Sequence, residues 1–193
     1  MKSIKKVLLF THEKYQKNKD ILRLNKFLKS KRIESELLIQ TSKNIQVQSS
    51  GEIIKNGKMS KQSSMQKHGM IIVFGGDGLF LSASKIAYNL DIPILGINFG
   101  KIGFLVDVDK KDIIKKVFEI VKGGYVIDKR IMIDGKIIDI NDKIIKSTSL
   151  NDIVIYNYGL LKMIQAKIFI NDFLINIQRS DGVIVSTPTG STA

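Results

Sequence analysis

The stretch Ile71-Ile72-Val73-Phe74-Gly75-Gly76-Asp77-Gly78 sets four consecutive apolar residues directly before three glycines and one carboxylate. Such a run suits a parallel strand buried on both faces. Glycines just past the strand let the backbone turn tightly and approach a ligand, and a helix opening over Leu79 to Asn89 favours phosphate at its N-terminus. Asp77 then stands at the carboxyl end of a strand, where open α/β sheets place their ligands. Taken alone, Gly-Gly-Asp-Gly is an ordinary turn. It is followed by Leu95-Gly96-Ile97-Asn98-Phe99-Gly100-Lys101-Ile102-Gly103-Phe104-Leu105, by Leu150-Asn151-Asp152-Ile153-Val154-Ile155, and by the stretch from Arg179 and Asp181 to the Gly- and hydroxyl-rich loop of Thr187, Gly190, Thr192 and Ala193. The Ser and Thr of that last run are no nucleophile signature, because no histidine is near them in sequence and the chain has only His12 and His68.

The elements that must carry these residues follow from hydrophobic period. Ile4 to Thr11 reads as a strand, Asp20 to Arg32 as a helix with Ile21, Leu24, Phe27 and Leu28 on one face, and Glu36 to Ile39 as a short strand. Gln40 to His68 is polar and without clear period, which predicts a long mobile surface segment; His68 at its end reads as a loop residue. The strand before Gly75, the helix through Ala83, Ile86, Ala87 and Leu90, and a strand over Pro93 to Ile97 form a βαβ unit. Its two carboxyl-end loops, 75–78 and 98–103, should lie side by side and build one pocket. Asp109 is the expected N-cap of a helix over Lys111 to Lys122, stopped by Gly123-Gly124.

After Gly124 the period becomes alternating. Strands are expected at Tyr125 to Ile133, Lys136 to Ile140, Leu150 to Tyr156, Met163 to Ile170 and Phe173 to Gln178, with turns at Asp134-Gly135, Asn141-Asp142, Asn157 to Gly159 and Asn171-Asp172. The expected organisation is therefore an α/β nucleotide-binding domain over 1–124, with an open, mostly parallel sheet, and the N-terminal part of an all-β domain over 125–193.

Composition narrows the function classes. The chain has no cysteine, so disulfides, thiolate metal sites and cysteine nucleophiles are excluded. No apolar run reaches the ~20 residues of a membrane span and no signal-peptide core is present, so the expectation is a cytoplasmic protein that does not bind membranes. The formal charge of +13 is concentrated in residues 1–68, with 16 Lys and Arg against 5 acids, while the motif-bearing remainder holds 15 against 13. Only four of the basic residues are Arg, the better residue for bidentate phosphate and base recognition. With 27 Lys and 33 Ile, compositional bias accounts for the charge, and no nucleic-acid partner is expected.

The four stretches, in this order, resemble the NAD kinase family. The resemblance covers residues 70–193 well and residues 1–40 in pattern only. It implies an N-terminal α/β domain like those of phosphofructokinases and diacylglycerol kinases followed by an all-β domain, and transfer of a phosphoryl group from ATP, or inorganic polyphosphate, to the 2'-hydroxyl of the adenosine ribose of NAD. It implies Mg²⁺ or another divalent metal, held by residues that it does not identify. Phosphoryl transfer needs positioning, charge neutralisation and an acceptor for the nucleophile's proton. By resemblance Asp77 is that base, Gly75, Gly76 and Gly78 offer amides to phosphate, and NAD is contacted by Asp77, Gly78, Phe104, Asn151, Asp152, Lys162, Arg179, Asp181, Thr192 and Ala193. Phe104 has two readings, an aromatic beside the adenine or a core phenylalanine.

Against the family, Leu79 stands where many members have Thr, Asp152 where many have Glu, and the chain ends at Ala193 where relatives continue. The β domain is thus expected to be incomplete, and a homo-oligomer is expected at full family length. Two alternatives accompany the kinase: a catalytically inactive, truncated NAD-binding remnant, and a related α/β kinase acting on a sugar or lipid.

Overall fold

The computed structural model describes residues 3–42, 44–47, 53–54, 69–100, 103–106, 108–159 and 163–193. They divide into two compact units, Met1–Asp128 and Lys129–Ala193.

In the first unit the order is β1 (Lys6–His12), a 3-10 turn (Glu13–Tyr15), α1 (Lys19–Ser30), β2 (Glu34–Gln40), β3 (Ile45–Val47), β4 (Ile53–Ile54), β5 (Met70–Gly75), α2 (Asp77–Leu90), β6 (Ile94–Asn98), β7 (Val108–Asp109), a second 3-10 turn (Lys110–Asp112) and α3 (Ile113–Val121). The strands form one sheet in the order β4-β3-β2-β1-β5-β6-β7. From β2 to β7 all neighbours are parallel, whereas β3 and β4 are antiparallel additions at one edge. The sheet is parallel where helices cover it, since a parallel neighbour requires a crossover and the crossover helix buries a face.

One face carries α1 and α3: Val7, Leu9, Leu37, Ile72, Phe74 and Ile97 pack with Ile21, Leu24, Leu28, Ile113, Val117 and Val121. Leu8, Phe10, Ile71 and Val73 are buried on the other face, where α2 contributes Phe80, Ala83, Ile86 and Ala87. β5 is buried along its whole length, as its unbroken apolar run requires. Asn18 caps α1, its Oδ1 accepting from the Asp20 amide at 2.8 Å. Asp91 ends α2 in the left-handed region at φ 51°, and Gly123 at φ 101° lets the chain leave α3.

The structure corrects the sequence reading at three points in this unit. Residues 40–68 do not wholly lack regular structure: β3 pairs with β2 and β4 with β3, because the alternation Ile45-Gln46-Val47 finds the free edge of β2. His68 lies outside the described residues. The helix after the glycines begins at Asp77 rather than Leu79, with extended Gly76 as its N-cap, so Gly78 is helical despite its low propensity. Asp109 caps the 3-10 turn, accepting from the Lys111 amide at 3.0 Å, and not the helix itself, whose N-cap is Asp112. Among the described residues no helix is long and apolar enough to cross a membrane.

The second unit contains β8 (Ile133–Ile138), β9 (Ile144–Ser149), β10 (Asp152–Tyr156), β11 (Ile164–Ile170), β12 (Phe173–Ser180), β13 (Gly182–Ser186) and a terminal 3-10 turn (Gly190–Thr192). They pair as three antiparallel ladders, β8 with β9, β10 with β13 and β11 with β12. The Asn171-Asp172 turn holds both residues at positive φ, 49° and 67°, as a two-residue hairpin requires. Asp139 organises the turn before β9 by accepting from the amides of Asn141 and Lys143.

Here too the pattern misled in places. Residues 125–132 are not a strand, since they form no ladder with another described segment, and Val126 is 96% exposed. Asp134-Gly135 is not a turn but lies inside β8, where Gly135 admits the side chain of Ile153 within 2.5 Å of where its Cβ would be. β9 went unread because its Ser and Thr positions mask the alternation. Many of the unit's large apolar side chains are about half exposed, among them Ile155, Tyr156, Leu174, Ile175, Ile184 and Val185.

Candidate active site

In the first unit the site is built where β5 and β6 end. Gly75 pairs with Asn98, so the glycine turn and the residues that follow β6 leave the sheet side by side. The Phe99 amide donates to the Gly75 carbonyl at 3.2 Å, and Asn98 Oδ1 holds the Gly100 amide at 2.8 Å. The loop then returns over Asp77: the amide of Phe104 donates to Oδ2 at 2.9 Å and that of Leu105 to Oδ1 at 3.2 Å. A carboxylate has about four acceptor sites, so each oxygen keeps one for a ligand.

Gly103 is what allows this approach. A Cβ there would stand 2.2 to 2.4 Å from the three carboxyl atoms of Asp77. Gly103→Ala should therefore push the carboxylate and loop apart and lower turnover by about ten- to hundred-fold while leaving Asp77 chemically intact. Unchanged kinetics in that variant would show that the clamp is not needed. Gly103 had no role in the sequence reading, although the Gly-Lys-Ile-Gly spacing after β6 marks it.

Among the described residues nothing lies within 4 Å of a Cβ added at Gly76 or at Gly78, apart from their own chain neighbours and the helix backbone. Gly76 supplies no side-chain cap, and the amides of Asp77 and Gly78 have no acceptor among the described residues. Two free amides at the N-terminus of a 14-residue helix form an anion-binding end. Gly75 instead faces Leu79, whose Cδ2 fills the space of a side chain at 2.6 Å. Gly78→Ala should raise stability by about 0.5–1 kcal/mol through helix propensity and yet weaken phosphate binding, because its methyl occupies the open side. Calorimetric unfolding and ATP titration measure the two effects separately. Phe104 is 84% exposed, which removes the core alternative and leaves its ring open to solvent.

In the second unit antiparallel pairing of β10 with β13 sets Asp152 opposite Ser186 and brings the 187–193 loop onto Asn151. The Thr187 amide donates to the Asn151 carbonyl at 2.8 Å and the Thr187 hydroxyl to the Leu150 carbonyl. The Gly190 amide returns to Thr187, with its carbonyl at 3.1 Å and its Oγ1 at 3.2 Å. Gly190 has no room for a side chain, since its Cβ would lie 2.2 Å from the Asn151 carbonyl oxygen. Asn151 Oδ1 is buried with no partner among the described residues, so this amide can turn toward a ligand without giving up a bond from them to that oxygen.

Thr192 and Ala193 are exposed at the end of this loop. Arg179 is exposed on β12 opposite Gln165, and exposed Asp181 follows that strand, its carbonyl accepting from Asn157. No hydrogen bond among the described residues joins Arg179 or the Asp181 side chain to Asn151. Lys162 lies outside the described residues.

A family model described as the ATP-NAD kinase N-terminal domain matches residues 12–125, and the ATP-NAD kinase C-terminal domain matches residues 150–193. The chain belongs to the NAD kinase family. An NAD kinase of Teredinibacter turnerae is 42% identical over 64% of this chain and 42% of its own length. One of Legionella pneumophila (strain Corby) is 38% identical over 72% of this chain and 48% of its own. The chain thus spans about half the length of the curated relatives it matches. Among solved structures, yeast NADH kinase complexed with NADH aligns with a TM-score of 0.72 at 18% identity, over 100% of this chain and 60% of that one. An NAD kinase from Archaeoglobus fulgidus in complex with ATP aligns at 0.65 and 21%, over 97% and 62%. At these identities the likeness concerns the fold, an α/β parallel sheet followed by a β-rich part.

Proposed function

We propose that the chain carries the NAD kinase reaction, in which a phosphoryl group passes from ATP, or inorganic polyphosphate, to the 2'-hydroxyl of the adenosine ribose of NAD. The observation that carries this is the clamp at Asp77: a carboxylate held by the amides of Leu105 and of Phe104, whose side chain is exposed, next to two helix-terminal amides that have no acceptor among the described residues. In this reading the proton acceptor and the phosphate-binding end belong to the glycine turn, and Phe104 of the neighbouring loop supplies the base-stacking face. The hydroxyl oxygen forms its bond to the terminal phosphorus as the bond to the leaving phosphate breaks, and Asp77 takes the hydroxyl proton. The amides of Asp77 and Gly78 hold the phosphate oxygens.

In this reading Asn151 and Asp152 hold the nucleoside of NAD, with Arg179, Asp181, Thr192, Ala193 and Lys162 as further contacts. Among the described residues no group of three or more His, Asp or Glu is placed to hold a metal ion. Mg²⁺ is often held by one or two carboxylates and the substrate's own phosphates. The donor set therefore fits an ion that arrives on the phosphate chain, with Asp77 as the protein carboxylate of the turn. Bound there, the ion would neutralise charge on the transferred group.

NADP formation from NAD, ATP and Mg²⁺ by the purified chain tests the reading, with inorganic polyphosphate as the second donor. A sugar or lipid acceptor is not favoured, since the Asn151-Asp152 and Thr187 to Ala193 stretches fall in the C-terminal family match. One observation favours a second reading. The half-exposed apolar strands of the second unit suit a dinucleotide binder that needs a covering partner, such as a second copy, before it can turn over. NAD binding without product would select that reading.

A further inference from the structure

In the order β2-β1-β5-β6 the chain moves outward in opposite directions from the β1 and β5 pair, which makes their carboxyl ends the topological switch point. His12 is the last residue of β1. Thr11 pairs with Phe74, so His12 stands level with Gly75. Alternation along β1 sets Val7 and Leu9 into the core cluster shared with α1 and α3, and therefore sets Leu8, Phe10 and His12 on the opposite face. Gly75 lies on that same face, against Leu79 of α2. His12 is thus placed beside the glycine turn and the first turn of α2.

The ring has a defined hydrogen-bonding state. Nδ1 accepts from the Lys14 amide at 3.3 Å, so the neutral ring carries its proton on Nε2. That N–H has no acceptor among the described residues. We propose that His12 is a binding residue for the phosphate chain of the phosphoryl donor, its Nε2–H donating to a phosphate oxygen next to the amides of Asp77 and Gly78. The proposal rests on the kinase reading and adds a residue to the donor side of that site. The ligand chemistry is a linear oligophosphate, free or on a nucleoside.

The test is titration of the full chain with inorganic triphosphate, ATP and NAD, in parallel, with Mg²⁺ present. His12→Ala is expected to weaken triphosphate and ATP by about ten- to hundred-fold, the range for a hydrogen bond to a charged group. NAD should change by less than about threefold, since uniform loss of a donor contact does not touch the acceptor.

Two further variants separate binding from structure. Glutamine places an N–H near the position of Nε2, so His12→Gln should recover most of the oligophosphate affinity. Asparagine mimics Nδ1 and is a good N-cap, so His12→Asn should recover the stability of the Glu13–Tyr15 turn but not the affinity. Recovery by Asn rather than Gln would reduce His12 to a cap and overturn the proposal, as would equal losses for NAD and ATP or unchanged affinity in His12→Ala. Triphosphate binding as tight as ATP would assign the contact to the phosphate chain alone; ATP binding without triphosphate would place recognition on the nucleoside and overturn it. A wild-type chain that binds neither would overturn the donor site itself, and the His12 assignment with it.

Discussion

Asp77→Asn should lower NADP formation by about 10²–10⁴-fold, the usual contribution of a positioned general base. An amide can still align a hydroxyl, but it cannot take the proton as the phosphorus–oxygen bond forms. The substitution has a second consequence that the structure makes specific. Both carboxylate oxygens accept backbone amides, Phe104 on one and Leu105 on the other. Asparagine has one acceptor oxygen, so one of these amides would meet an NH₂ donor and lose its partner, at a cost of about 1–3 kcal/mol if it stays shielded from water. The loop bearing Phe104 should loosen, and NAD affinity should fall a few fold beside the loss in rate. ATP affinity measured without Mg²⁺ should hold, because the amides of the helix terminus remain, whereas any gain in affinity that Mg²⁺ brings through the Asp77 carboxylate should be reduced. Steady-state kinetics with binding titrations for both substrates separate these effects, and turnover within about threefold of the parent would remove Asp77 from the base role.

Gly190→Ala is expected to be the most damaging single methyl in the second unit. The added carbon would lie 2.2 Å from the Asn151 carbonyl oxygen, 2.4 Å from its carbon and 2.6 Å from its Cα. These are backbone atoms and cannot rotate away, unlike the Leu79 side chain that faces Gly75. The loop must lift, breaking the Thr187 amide's bond to Asn151 and its hydroxyl's bond to Leu150. Overpacking of this kind costs about 1–3 kcal/mol, and NAD affinity should fall by about tenfold or more if Asn151 is a nucleoside contact, each tenfold corresponding to about 1.4 kcal/mol. Hydrogen exchange at the Thr187 amide reports the structural part, and NAD titration the functional part. A protected amide with normal affinity would show that the loop accommodates the methyl and that its closure on Asn151 is not what binds NAD.

Wherever local chemistry dictates local structure, the sequence was sufficient. The buried strand before Gly75, the strand-helix-strand unit, the Asn171-Asp172 hairpin turn and the family itself were all legible from apolar period, turn residues and four ordered motifs. The pairing of the 75–78 and 98–103 loops was also legible, because parallel strands of one βαβ unit end at the same edge. Tertiary structure decided whatever depends on contact between residues distant in the chain. Gly103 is a glycine because a carboxylate 26 positions earlier fills its side-chain space, and Gly135 sits in a strand because Ile153 does the same. Val126 and its neighbours alternate like a strand but form no ladder with another described segment, while Ile45 to Val47, in a segment of polar composition, found the edge of β2. Periodicity reports what a segment can do with one face; ladder partners and close approaches are supplied by the rest of the chain, and these turned a glycine turn with one carboxylate into an acid clamped by two amides of the neighbouring loop.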